Sequence, residues 1–280
     1  MIDYSSPQAA IWRLNEIDKI IDGFDSTVSK YVKVRQIKYD YDYTNIILTM
    51  AGKSIVTMRE ILCLSLFGYP DGELSLSRNI YEQFIVLLFL SKKSHSPDFP
   101  QIIENYYHNY EVQRLKNTKA QYELLNLPAE YEEAKQKLIA YKQNNNINKD
   151  NDYWWAGVNT FAELKNKAVE MVTDENIKTI INHMHIGYKR ACVSLHASCL
   201  GNYIRLGFDQ DATVIDTSPT QKGHSFPLWL STMSMLLVVE AVCKELLIND
   251  SFHDQLEDLA LFYAQKKNEE DGCATLTNTE

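Results

Sequence analysis

The chain has 280 residues, 45% of them hydrophobic, enough for a sizeable core in one large domain or two small ones. Ten Gly and seven Pro are too few for the turns of an all-β fold, so helix is favoured. A net charge of -9 leaves no broad basic surface to attract nucleic acid non-specifically, though a local basic cleft stays compatible with it.

Met1-Ile-Asp-Tyr-Ser-Ser-Pro7 has no basic region followed by an apolar core and is not expected to be a signal peptide. Helical periodicity over residues 8–34 runs through Ile11, Leu14, Ile17, Ile20 and Ile21, with Ser6-Pro7 as its start. Residues 35–43 alternate Tyr with Asp, which fits a short strand or a lead into the next helix. Residues 44–68 carry a wide apolar face, from Ile46 to Leu66. Gly68-Tyr-Pro70-Asp-Gly72 is expected to stop that helix and to separate it from the next, over 74–92. Further helices follow at 99–126 and 129–143. Asn144 to Asp152 is a polar loop, and a helix follows at 160–171. Residues 174–205 form one or two helices, with Gly187 as a candidate break. Residues 207–226 are a long polar loop with room for a small strand pair. Helices over 227–248 and 251–268 precede a disordered tail. The apolar stretches Phe84–Leu90 and Leu228–Val239 are too short to span a bilayer and are expected to be buried. The expectation is an all-α fold: one helical bundle of about eight to ten helices over residues 1–270, with a tail at 271–280.

Arg78 and Glu82 are four apart, so they share a helical face at the start of a strongly apolar run. They form either a surface ion pair or a partly buried pair that orients another polar group such as His196. His185, Cys192, His196 and Cys199 also share one face and are good zinc ligand types. On a straight helix they spread over about 20 Å, so small buried thiols explain the cysteines and no metal site is expected. Five Cys without a Cys-x-x-Cys pair fit a reducing cytoplasm. Ala51-Gly52-Lys53-Ser54 resembles the end of a phosphate loop, but Ile47 stands where its first Gly belongs.

Three blocks carry a family resemblance: Ser77-Arg78-x3-Glu82 opening an apolar helix, Trp155-Ala-Gly157 before a short helix, and Tyr188-x5-Ser194-x-His196-x-Ser198. In order and spacing they resemble an uncharacterised bacterial all-helical family, a domain of unknown function, over roughly residues 45–205. The resemblance implies a helical domain in which Arg78, Glu82, Tyr188, Ser194 and His196 converge, with Ser198 and Trp155 in support. It implies no established activity.

A looser resemblance is to the HEPN ribonucleases, which are α-helical and commonly dimeric. Arg190 and His196 match their Arg-x(4–6)-His pattern. In such an enzyme His196 would exchange the proton of a ribose 2′-hydroxyl and Arg190 would stabilise charge on the phosphate, without metal or other cofactor. On a straight helix the two side chains stand about 120° apart, so a kink or a dimer seam would have to reunite them. Ala191 also stands where these enzymes often place a polar residue. The first functional expectation is therefore a cytoplasmic, homodimeric, HEPN-like ribonuclease or toxin-like phage-defence protein acting on RNA. The alternative is a non-catalytic helical module that binds a protein or small ligand through a buried polar cluster.

Overall fold

The computed structural model describes residues 7–35, 43–149, 151–195, 224–247 and 252–276. They form nine α-helices and one short 3₁₀ turn, with no strand among them, so the all-α expectation holds. The helices are α1 (Pro7–Arg35), α2 (Tyr43–Phe67), α3 (Pro70–Lys93), α4 (Phe99–Leu124), α5 (Pro128–Asn144), α6 (Phe161–Glu170), α7 (Glu175–Leu195), α8 (Ser225–Leu246) and α9 (Phe252–Leu276). Most of the expected strand at 35–43 and of the loop at 207–226 lies outside the described residues. The last helix runs to Leu276, past its expected end at 268.

The chain divides into two compact units. The first holds α1, α2, α3 as far as Leu88, and α7 to α9. Arg59 of α2 reaches Asp22 and Asp25 of α1 at 2.8 and 2.9 Å. Phe252 of α9 packs edge-on to Phe24 and closes over Gly23, where an added Cβ would fall 2.7 Å from the Phe252 ring. α8 is a largely buried helix of this unit. Its apolar run is buried together with the small polar residues Ser231, Thr232 and Ser234. By length and hydropathy it could cross a membrane, but 72% of that window is buried within the protein, the signature of a core helix. It exceeds the Leu228–Val239 stretch because Ser225–Pro227 and the turns after Glu240 extend it.

Two boundaries differ from expectation, each for a local reason. Gly68, at φ 78°, ends α2 in the left-handed conformation, with Tyr69 N donating to Leu64 O at 3.0 Å and Gly68 N to Ser65 O at 3.3 Å. Pro70 then opens α3 at once, because a first-turn residue needs no N–H partner and proline pre-sets φ. Asp71 and Glu73 favour the same end through the helix dipole. Pro-Asp-Gly is therefore a helix start and not the middle of a loop. Gly187 likewise breaks nothing. It lies inside α7 where α8 comes close, and a Cβ there would stand 2.9 Å from Phe226 Cζ.

The second unit runs from Phe89 to Val172, with Tyr43 packed edge-on to Phe99 at 5.0 Å. α4 and α5 form a hairpin across Leu125–Leu127, pinned by His108 Nδ1 and Tyr141 OH at 2.8 Å. The 3₁₀ turn Trp154–Ala156 ends at Gly157, which has a φ of 70°. Trp155 is buried edge-on between Phe89 and Tyr106, with ring centroids 5.7 and 5.0 Å away. Thr160 caps α6, its hydroxyl accepting from Glu163 N at 3.2 Å.

Candidate functional site

The i, i+4 spacing on α3 brings Arg78 and Glu82 together, with Nε donating to Oε1 at 2.9 Å. Tyr188 of α7 completes the group by donating its hydroxyl to the same Glu82 oxygen at 3.1 Å. The Arg78 guanidinium also lies 5.6 Å from the centroid of the Tyr188 ring, within range of a cation–π contact. Nη1 and Nη2 of Arg78 form no hydrogen bond among the described residues. The pair is half-open: the Arg78 side chain is 30% exposed and that of Glu82 24%.

Aromatic packing fixes this cluster from behind. His185 stacks on Tyr188 at 5.5 Å and 11° between planes. Tyr81, fully buried, leans on both rings and directs its hydroxyl to Ile181 O at 3.4 Å. Its burial follows from α3 geometry: Ile80, Tyr81, Phe84 and Ile85 make the apolar face, and Arg78 and Glu82 flank it. The Cys192 thiol sits one turn beyond Tyr188, close enough to act electrostatically on both Tyr188 and Arg78.

The protonation states follow from this setting. Burial, then the Glu82 charge and Cys192, push the Tyr188 phenol far above its usual value. Tyr188 is therefore a neutral donor to Glu82 and not a base. Burial alone raises Tyr81 in the same direction. Burial pulls the Arg78 guanidinium down, but the Glu82 hydrogen bond and charge outweigh it, and Arg78 ends above its ordinary value. A permanently charged guanidinium is thus held by a carboxylate and faced by a neutral phenol.

Of the other sequence candidates, Arg190 does not join this cluster. Arg190 is exposed on α7, its guanidinium 5.4 Å from the Phe226 ring of α8. Two positions along an ideal helix turn a side chain by about 200°, so Arg190 leaves the face that carries Tyr188. Trp155 is a core residue of the second unit. Ser194 is in α7, but its side chain, like His196 and Ser198, lies outside the described residues. Of the zinc-type stripe, His185 is engaged by aromatic rings, and His196 and Cys199 lie outside the described residues. No group of three or more His, Cys, Asp or Glu among the described residues is placed to hold a metal ion. Ala51-Gly52-Lys53-Ser54 is mid-helix in α2, with Ser54 fully buried, so it forms no phosphate loop.

Sequence reasoning passed over a second polar contact on α3. Glu73, fully buried, pairs through Oε1 with His224 Nδ1 at the start of α8. Ser77, also buried, lies 2.7 Å from Glu73 O and 3.0 Å from Pro227 O. Burial drives the Glu73 carboxyl above its ordinary value, and His224, with a smaller effect from Ser65, only partly opposes this. The pair is separated by 151 positions in sequence, and no local spacing announces it.

The site is thus a two-helix polar cluster on an all-α scaffold, defined by the Arg-x3-Glu block of α3 and the Tyr188 block of α7. The chain belongs to a family of unknown function, DUF5677, whose model matches residues 44–212 and so includes both blocks and Trp155-Ala156-Gly157. No curated protein and no solved structure matches the chain.

Proposed function

We propose that this chain is a helical binding module of the cytoplasm whose recognition element is the Arg78–Glu82–Tyr188 cluster. It takes a small ligand bearing a carboxylate or phosphate. One observation carries this reading: Arg78 spends only Nε on Glu82, while Nη1 and Nη2 make no hydrogen bond among the described residues, on a part-exposed, laterally fixed guanidinium. Such a fork matches the two oxygens of an anion, and its orientation is already set before binding. Glu82 adds a selection rule, since it favours ligands that also present a donor. The chemistry around the cluster suits binding better than turnover. Tyr188 holds its proton and so donates to Glu82 without serving as a base.

The test is thermal stabilisation of the full chain by inorganic phosphate and by small hydroxy-dicarboxylates. The wild type is expected to gain Tm, and Arg78→Met to lose most of that gain while staying folded. Equal shifts in both proteins would sink the reading.

The second reading is a homodimeric, metal-independent, HEPN-like ribonuclease or toxin-like phage-defence protein acting on RNA. It is supported by the exposure of Arg190, which leaves its charge available to a phosphate, at the right spacing before His196. Expression of the wild type, Arg190→Ala and His196→Ala in cells, followed by total RNA and growth, tests it. The wild type should degrade RNA or slow growth and the variants should not.

A further inference from the structure

Helix α2 buries one face and leaves apolar residues on the other. Ile47, Ala51, Ile55, Met58 and Leu62 are in the core. On the outward side Thr49, Val56, Cys63 and Phe67 lie within about 20° of one line, because steps of seven and four residues nearly close whole helical turns. Val56 is 54% exposed and Phe67 68%, and Leu66 beside Phe67 is 56% exposed. Cys63 is an exposed free thiol. Single apolar residues on a surface need no explanation, but a stripe of them at helical period marks a face that meets another helix. Gly52 lies beside the stripe. A Cβ there would meet nothing within 4 Å, so a second backbone has room to approach.

Two charges flank the stripe on the same side. Lys53 and Glu60 are exposed, and neither makes a hydrogen bond or ion pair among the described residues. Their order decides what fits the face. Take a second α2 running antiparallel, with the two-fold axis level with the midpoint of residues 56 and 57. Lys53 and Glu60 are equidistant from that midpoint, and flanking positions on one side meet the same side of an antiparallel neighbour. Lys53 of each copy then stands opposite the partner's Glu60, and Val56 packs near the axis against the partner's Val56. Phe67 reaches the partner's Thr49 end. A parallel copy has no such pairing, because its two Lys53 side chains lie level with each other.

We propose that the outward face of α2 is the interface through which two copies of this chain form an antiparallel homodimer. A second copy, and not an unrelated helix, is the occupant because the charges are self-complementary about one point, as a two-fold axis requires. Burial of Val56, Cys63, Leu66 and Phe67 drives association. The two Lys53–Glu60 pairs at the rim set its direction and register. None of these residues belongs to the Arg78–Glu82–Tyr188 cluster, so the interface and the anion site fail or stand separately.

Sedimentation equilibrium of the full chain tests this. The wild type should be dimeric at micromolar concentration. Val56→Asp should be monomeric there with unchanged helix content, since the side chain lies outside the core. Lys53→Glu and Glu60→Lys should each weaken dimerisation about tenfold, because each turns two attractions into repulsions at once. The double variant restores opposite charges and should return close to the wild type. Val56→Cys in a Cys63→Ser background should cross-link between copies when an oxidant is added, with Cys63→Ser alone as the control. A monomeric wild type overturns the proposal. So does a dimer that survives Val56→Asp, a double variant no tighter than the single ones, or a dimer that Val56→Cys does not cross-link.

Discussion

Helix α3 carries two acidic side chains with opposite fates. Glu73 and Glu82 are nine positions apart, so an ideal helix sends them to opposite sides, about 180° from each other. Glu73 is fully buried and meets His224, whereas Glu82 keeps a quarter of its side chain in solvent and meets Arg78 and Tyr188. A carboxylate buried like Glu73 is part of the architecture, because any ligand would have to displace core packing to reach it. A half-open pair can exchange a water for a ligand at little cost. Burial, more than residue type, separates the structural carboxylate from the candidate site.

The largest expected effect lies on the sealed side. His224→Ala leaves the Glu73 carboxyl buried without its partner, and urea denaturation should show a loss of about 3 kcal/mol. A loss near that of a surface pair would break the contrast. The sealed pair should also show in pH dependence. Glu73 is held above its ordinary value of 4.5, so between that value and its folded one the native state binds more protons than the unfolded chain. Its contribution is present at acid pH and lost as pH rises through the folded value. The stability of the wild type relative to Glu73→Gln should therefore fall as pH rises past the ordinary carboxylate range. A flat or rising difference would contradict the assignment.

The half-open side should respond more weakly. Tyr188→Phe removes one hydrogen bond to a carboxylate and should cost about 1 kcal/mol, with the aromatic stack on His185 retained. Smallest of all is the Arg78–Glu82 coupling. A double-mutant cycle with Arg78→Met and Glu82→Gln should give about 0.5 kcal/mol at low salt, and less at high salt. A coupling several times larger would mean that this pair, too, belongs to the core. The same Arg78→Met protein should nevertheless lose its anion-dependent gain in Tm, since binding and stability are separate readouts of one guanidinium.

Much of this was legible in the sequence where the rule is local. A helix was expected at every described one, from apolar period in some and from composition and Gly or Pro punctuation in others, and the i, i+4 rule paired Arg78 with Glu82 before any fold was known. The Tyr188 block was visible as a motif, though its Glu82 partner is 106 positions away and followed only from family resemblance. Arg190 entered through its Arg-x(4–6)-His spacing to His196; on α7 its guanidinium lies against Phe226, off the face that carries Tyr188. The Glu73–His224 pair had no signal at all. Glu73 looked like one more acidic residue in a first turn.

The sequence by itself determined the all-α class, the helix ladder and one ion pair, because hydrophobic period and four-residue spacing act within a single helix. Only the tertiary structure decided which carboxylate was sealed and which guanidinium kept its terminal nitrogens unbonded among the described residues. Those outcomes depend on burial and on contacts between helices distant in sequence, and the cost of desolvating a charge is set by what the rest of the chain packs against it.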